Sequence, residues 1–187
     1  MKRQELRLSG SGGQGLILAG IILAEAALLD GKNVVQSQSY GPEARGGASK
    51  AEVIISDDII NYPKVDKCDI LLSLTQKACD KYIDSLKPGG TLILDDTVEN
   101  RPDRDDIKIY SIPILETASK DLGKPMVANI VALGSIYELT KIVKRESLEK
   151  AVLNRVPRGT EELNKMALGE GFKLILNHKE SSYGEVC

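Results

Sequence analysis

Two stretches of this chain hold residues whose types and spacing could do chemistry. The first is Gly10-Ser11-Gly12-Gly13-Gln14-Gly15. Its glycines fall in the G-x-G-x-x-G pattern of a dinucleotide-binding turn. In such a turn the first glycine permits a tight bend, the second lets a ligand approach the backbone, and the third lets helix pack on strand. The helix start behind it presents unpaired N–H groups and the positive end of a dipole, which suit an anion. The second stretch is Tyr40-Gly41-Pro42-Glu43-Ala44-Arg45-Gly46-Gly47. Its glycines and proline allow unusual backbone angles, and little bulk stands beside Arg45 to cover it. An arginine so presented can grip a carboxylate or phosphate with two parallel bonds. An arginine that only pairs with Glu43 or a helix end would read the same way. The candidate site residues are therefore Gly10, Gly12, Gly13, Gln14, Gly15, Tyr40, Gly41, Arg45, Gly46 and Gly47, as contacts for an anion or for a neighbouring subunit.

Elsewhere the means for catalysis are sparse. His178 is the single histidine, which leaves little acid–base capacity near neutral pH. It falls near a helix end, where a cation suits the dipole. There is no G-x-S-x-G, G-x-x-x-x-G-K-[ST] or H-E-x-x-H motif. Cys68, Cys79 and Cys187 form no C-x-x-C pair, so neither an iron–sulfur nor a structural zinc site is readable. They read as free thiols of a cytoplasmic protein. Asp95, Asp96, Glu99, Asp103, Asp105 and Asp106 are interleaved with Arg101 and Arg104 and read as a solvated loop. No catalytic residue and no metal site is expected.

The elements that must position the two stretches follow from periodicity. Leu6 to Ser9 reads as a strand, and Gly15 to Leu29 as a helix that is apolar almost all round and so covered on several sides. Gly31 is placed to stop it. Lys32 to Gln38 is the second strand. An NAD-binding domain needs an acid about 20 residues past the glycines, yet the strand ends Gln36-Ser37-Gln38-Ser39-Tyr40. The third strand, Ala48 to Ser56, follows a connection too short for a parallel crossover. It must run antiparallel to its neighbours or leave the sheet, so the sheet is mixed.

Beyond it, Asp69–Leu74 and Thr91–Asp95 read as buried strands. Thr75 caps a helix to Ser85, Lys87-Pro88-Gly89-Gly90 reads as a turn, and Lys108–Ile112 as a further strand. Helices are expected over 115–122, 128–144, 148–154 with Ser147 as its cap, and 160–178, with Gly169 and Gly171 as weak points in the last. The fold class is α/β: a three-layer Rossmann-like domain with a mixed, mostly parallel sheet flanked by helices. Residues 1–178 form this single domain and 179–187 a polar tail.

Composition agrees with one globular domain of 187 residues. A net charge of -2 gives no basic field for nucleic acid, and with one Phe and no Trp there is no stacking platform for bases. The apolar run from Leu16 to Leu29 is too short to span a bilayer, and no membrane association is expected.

The glycine turn together with Gln38-Ser39-Tyr40-Gly41-Pro42-Glu43-Ala44-Arg45-Gly46-Gly47 resembles the gamma subunit of 2-oxoacid:ferredoxin oxidoreductases, over nearly the whole chain. The Ser-Tyr-Gly-Pro-Glu-Ala-Arg-Gly-Gly-Ala-Ser form is most similar to the 2-oxoglutarate branch, with the pyruvate and branched-chain branches as nearest alternatives. The resemblance implies an accessory subunit of an enzyme that decarboxylates a 2-oxoacid, passes electrons to ferredoxin and forms an acyl-CoA. It implies that thiamine diphosphate, Mg and the iron–sulfur clusters lie in alpha, beta and, in some complexes, delta partner subunits. CoA would be a co-substrate of the complex, and this chain would bind no cofactor alone. A homodimer of the isolated chain stays open. Two other classes remain: a stand-alone dinucleotide-binding protein, and a methyltransferase-like domain with Lys87-Pro88-Gly89-Gly90 before a strand. Both want the acid that the second strand lacks.

Overall fold

The computed structural model of the chain describes residues 3–39 and 48–184, with side chains as far as His178. Six strands form one sheet: β1 (Gln4–Ser11), β2 (Asn33–Ser39), β3 (Ala48–Ser56), β4 (Cys68–Ser73), β5 (Leu86–Asp95) and β6 (Lys108–Ile112). Their order is β2-β3-β1-β4-β5-β6. β3 runs antiparallel to both β1 and β2, while β1, β4, β5 and β6 pair in parallel. The sheet is thus mixed and mostly parallel, as the short β2–β3 connection requires.

The helices are α1 (Leu16–Leu29), α2 (Gln76–Tyr82), α3 (Ile114–Glu116), α4 (Ala128–Thr140), α5 (Arg145–Arg155) and α6 (Glu161–Gly184). A 3₁₀ turn (Ile83–Ser85) follows α2, and a π turn (Thr117–Asp121) follows α3. Leu6, Leu8, Ala51, Val53 and Ile55 face the larger core, which α1, α4, α5 and α6 cover. Ile54, Leu71, Leu92 and Leu94 face a smaller core, closed by Cys79 of α2 and by the Val65 and Val98 loops. The three layers are therefore unequal.

α1 is buried by more than the sheet. Gly20 lets it lie close on β3, since a Cβ there would sit 3.0 Å from the Cβ of Ala51. On the other side its one charge, Glu25, accepts from Asn154 Nδ2 (2.8 Å) and Arg155 Nε (2.5 Å) of α5. Gly31, at φ 77°, ends α1 as expected. Asp30 just before it accepts from the Lys144 N–H (2.6 Å) and the Ser147 hydroxyl (2.5 Å). Ser147 is thus not the cap of α5 that the sequence suggests; a carboxylate 114 residues away takes that place.

Other elements depart from expectation for local reasons. Lys87 to Gly90 is not a separate turn but a bulge inside β5. Cys68 pairs with Leu86 and Ile70 with Thr91, and Gly89 takes φ 75° to absorb the extra residues. α4 stops at Thr140, short of 144, because Lys141 turns left-handed (φ 48°) and ties its Nζ to Glu138 at 2.6 Å. α6 continues to Gly184, so residues 179–184, expected as tail, are helical. Asp95 is fully buried rather than solvated. It accepts from the Thr97 N–H (3.1 Å), the Thr97 hydroxyl (2.5 Å) and the Leu115 N–H (2.8 Å), which caps α3.

The two glycines of α6 differ in kind. A Cβ on Gly171 would run into the Val131 carbonyl, and one on Gly134 into the Leu168 carbonyl. α4 and α6 therefore cross backbone to backbone, and the Ser135 hydroxyl donates to the Gly171 carbonyl at 3.1 Å. Nothing lies within 4 Å of a Cβ on Gly169. We expect Gly171→Ala to cost about 3 kcal/mol by overpacking. Gly169→Ala should gain up to about 1 kcal/mol from helix propensity. Urea unfolding of both variants checks the opposite signs.

The smaller core holds an ion network. Arg7, 4% exposed, donates to Glu52 from Nε (2.8 Å) and to the Val65 carbonyl (2.7 Å) and lies 5.5 Å from the Tyr82 ring centre. Lys50 Nζ reaches Glu52 at 2.7 Å. Burial by itself would raise the Glu52 carboxyl, but the bonds and charges of Lys50 and Arg7 outweigh it and hold it below the usual carboxylate range. A depressed folded-state value stabilises the protein above the unfolded value and is lost as pH falls through the folded one. Glu52→Gln should therefore cost about 3 kcal/mol at pH 7. The gap to wild type should narrow as pH drops below the reference value of 4.5, as chemical denaturation at stepped pH would show.

Candidate functional site

The glycine turn sits at the carboxyl end of β1, where the order of the chain reverses. From β1 the chain passes through α1 to one side of the sheet, and β4 lies on the other. Open α/β sheets place ligands at such switch points. The turn is anchored there by neighbouring backbone. The Leu74 N–H donates to the Ser9 carbonyl at 3.0 Å. The Ser9 hydroxyl donates to the Leu72 carbonyl at 2.7 Å and lies 3.1 Å from that of Ser73. The Ser49 hydroxyl reaches the carbonyls of Gly10 (3.4 Å) and Ser11 (3.3 Å).

Within the turn each glycine has a different use. Gly10 is buried, and a Cβ there would strike Gln14 Oε1 and lie 2.9 Å from Leu16 Cδ1. Gln14 folds back over it and accepts from the Ser11 N–H at 2.7 Å. One donor that a phosphate would use is thus taken by a side-chain amide. Gly12 and Gly13 form the exposed tip, and Gly13 takes φ 89° with nothing within 4 Å of where a Cβ would sit. Gly15, at φ 71°, precedes α1. A Cβ on Gly15 would lie 2.7 Å from Asn129 Nδ2. That amide donates to the Gly15 carbonyl at 3.2 Å. The third glycine was expected to pack helix on strand. It instead admits a side chain from α4, and Gly20 does the close packing of α1.

Asn129 is a residue the sequence reading missed. Its one signal is a polar side chain in the first turn of the otherwise apolar run Ala128–Leu133. Beside the turn lies a cavity of about 200 Å³ lined by Leu18, Met126, Asn129, Val156 and Leu163, with Met126 three-quarters exposed. A larger cavity of about 410 Å³, against Asp69, Lys87 and Thr140, opens at the opposite end of the sheet. Its charges are paired, with Lys87 Nζ 2.8 Å from Asp69.

Tyr40, Gly41, Arg45, Gly46 and Gly47 lie outside the described residues. Their flanks, Ser39 and Ala48, end β2 and begin β3. At the carboxyl end of β5 the surface is acidic. Asp96 is raised by partial burial and by the nearby Asp95 and Glu116. Among the described residues no group of three or more His, Cys, Asp and Glu side chains could hold a metal ion. Cys68 and Cys79 are buried in the smaller core. Desolvation raises both thiols, Cys79 to about 11. His178 packs against Tyr110 with its ring tilted at 54°, ring centres 5.3 Å apart.

The dinucleotide reading fails on geometry as well as on the missing acid. With β3 inserted between them, β1 and β2 stand two strand spacings apart, about 10 Å. A residue at the end of β2 is one strand spacing, about 5 Å, further from the turn than in an uninterrupted strand–helix–strand unit.

Comparison with known proteins decides what the turn belongs to. The family model for pyruvate ferredoxin/flavodoxin oxidoreductase matches residues 5–174. The chain belongs to this family. Within it, the chain is 53% identical over 176 residues to the 2-oxoglutarate synthase subunit KorC of Methanocaldococcus jannaschii, covering 92% of this chain and 94% of that one. It is 32% identical over 177 residues to the common gamma subunit of pyruvate and ketoisovalerate oxidoreductases of Thermococcus litoralis, covering 90% and 95%. The solved gamma subunit of a keto/oxoacid ferredoxin oxidoreductase from Geobacter sulfurreducens is 55% identical. It superposes with a TM-score of 0.84 over 93% of this chain and 99% of that one. The resemblance to the gamma subunits is thereby borne out, and so is the α/β fold class.

The packing of Gly15 makes a sharp demand. Gly15→Ala should cost about 3 kcal/mol, from the left-handed backbone and the contact with Asn129 together. In a Gly15→Ala/Asn129→Ala double variant the contact is gone and the backbone strain remains. Thermal unfolding of the cycle should show about 1–2 kcal/mol of coupling between the two sites.

Proposed function

We propose that this chain is the gamma subunit of a 2-oxoglutarate:ferredoxin oxidoreductase, which converts 2-oxoglutarate and CoA to succinyl-CoA and reduces ferredoxin. The observation that carries the choice of branch is the gap in identity. It is 53% to a 2-oxoglutarate synthase subunit, against 32% to a gamma subunit shared by the pyruvate and ketoisovalerate enzymes, each over at least nine-tenths of this chain. Thiamine diphosphate with Mg, and iron–sulfur clusters, supply the decarboxylation and electron transfer from alpha, beta and, where present, delta subunits. The described residues here suit an accessory role, with buried thiols and no clustered metal ligands.

On this reading the glycine turn and the Tyr40–Gly47 stretch are contact surfaces of the assembly, in the cytoplasm. The hold of Gln14 on the Ser11 N–H favours subunit contact over capture of a free phosphate. Contact of the Arg45 stretch with an anionic group of CoA is the second reading, favoured by the charge of Arg45 beside two glycines.

Purification of the tagged chain from its native cell tests the proposal. The chain should return with a thiamine-binding pair and an iron–sulfur subunit. That complex should reduce ferredoxin with 2-oxoglutarate and CoA, and far less with pyruvate or 2-oxoisovalerate, while the isolated chain does nothing. A preference for pyruvate would overturn the branch, and 2-oxoacid-dependent activity of the chain alone would overturn the accessory role.

A further inference from the structure

We infer that Asn129 is a positioning residue of the assembly: it fixes the glycine turn from the side of α4, so that the exposed tip at Gly12 and Gly13 meets a neighbouring subunit in one orientation. This rests on the reading of the turn as a contact surface.

Asn129 is 3% exposed, on the first turn of α4. A buried amide must be hydrogen-bonded to be tolerated, and its Nδ2 spends its bond on the Gly15 carbonyl at 3.2 Å. That same carbonyl accepts from the Ala19 N–H at 3.0 Å, the first hydrogen bond of α1. The amide therefore holds the last peptide of the turn at the point where the turn becomes helix. Contact reinforces the bond, because the Asn129 amide fills the space that any side chain at Gly15 would need.

Among the described residues the helix start itself adds little side-chain restraint at this end. Gly15 has no side-chain cap, and the first turn of α1 carries no acid. At the other end of the turn Gln14 and Ser49 bind Ser11 and Gly10. The tip between them has no packing of its own at Gly13. Its direction is set by its two ends, and Asn129 sets one. Asn129 also lines the cavity beside Met126, so one side chain borders both the turn and that apolar wall.

The test uses the complete complex, with this chain titrated against its remaining subunits well below the melting temperature. Asn129→Leu keeps approximate shape without the donor, and Asn129→Ala removes both. Gly13→Asn adds bulk to the exposed tip while tolerating its left-handed backbone. Both Asn129 variants should weaken assembly about tenfold, the loss of one buried hydrogen bond's worth of order. In the isolated chains the amide resonances of Gly12 and Gly13 should shift. A merely structural role would lower the melting temperature and leave assembly at low temperature and the tip resonances unchanged, which overturns the inference. If Gly13→Asn weakens assembly and the Asn129 variants do not, the contact reading stands and the inference fails. If no variant affects assembly, the contact reading fails and takes the inference with it.

Discussion

The length of the chain between β2 and β3 governs this structure. Eight residues separate Ser39 from Ala48, too few to carry a strand back over the sheet in parallel. β3 must therefore return beside β2, and it pairs on its far edge with β1, taking the place that β2 would hold in an uninterrupted strand–helix–strand unit. Much else follows. α1 has to reach across an extra strand, so it lies over β3, and Gly20 meets Ala51 there. β2 becomes an edge. Glu52 is carried into line with Arg7 of β1 and Ser37 of β2, which turns a lateral row of the sheet into an ion network.

The same insertion changes what a glycine-rich turn can mean. The three glycines keep their sequence spacing, but their freedom is used inward. One gives room to the amide of Gln14, another to the amide of Asn129, and only the tip faces outward. The pattern that elsewhere cradles a pyrophosphate here seats two side-chain amides of the protein itself. Two sequence-local facts, a short loop and a missing acid, agree with this outcome.

The sheet and its direction were legible because strand periodicity and loop length are local properties. So were the stop of α1 at Gly31 and the cap of α2 at Thr75, whose hydroxyl accepts from the Ala78 N–H at 3.3 Å. What failed to show was whatever depends on residues far apart in the chain. Asp30 rather than Ser147 caps α5, because the carboxylate arrives through the fold. Asp95 looks like one of six acids in a loop, yet its place at the buried end of β5 makes it a cap. Asn129 meets Gly15 across 114 residues, and no spacing rule foresees that. Gly169 and Gly171 have the same propensity, and only the crossing of α4 and α6 tells them apart.

That crossing has a mechanical meaning. Where two helices touch through side chains, rotamers can change and the helices can slip by a fraction of an ångström. Where carbonyl oxygens rest on glycine Cα atoms, no such cushion exists, and a close-packed interior passes displacement on rather than absorbing it. α4 is pinned in this way against α6 at Gly134, five residues after Asn129 holds the glycine turn. The helix is a fixed post between the bulk of the domain and its exposed tip. Pressure applied to that tip, from whatever lies against it, would be borne by the whole helical layer and not by a loop.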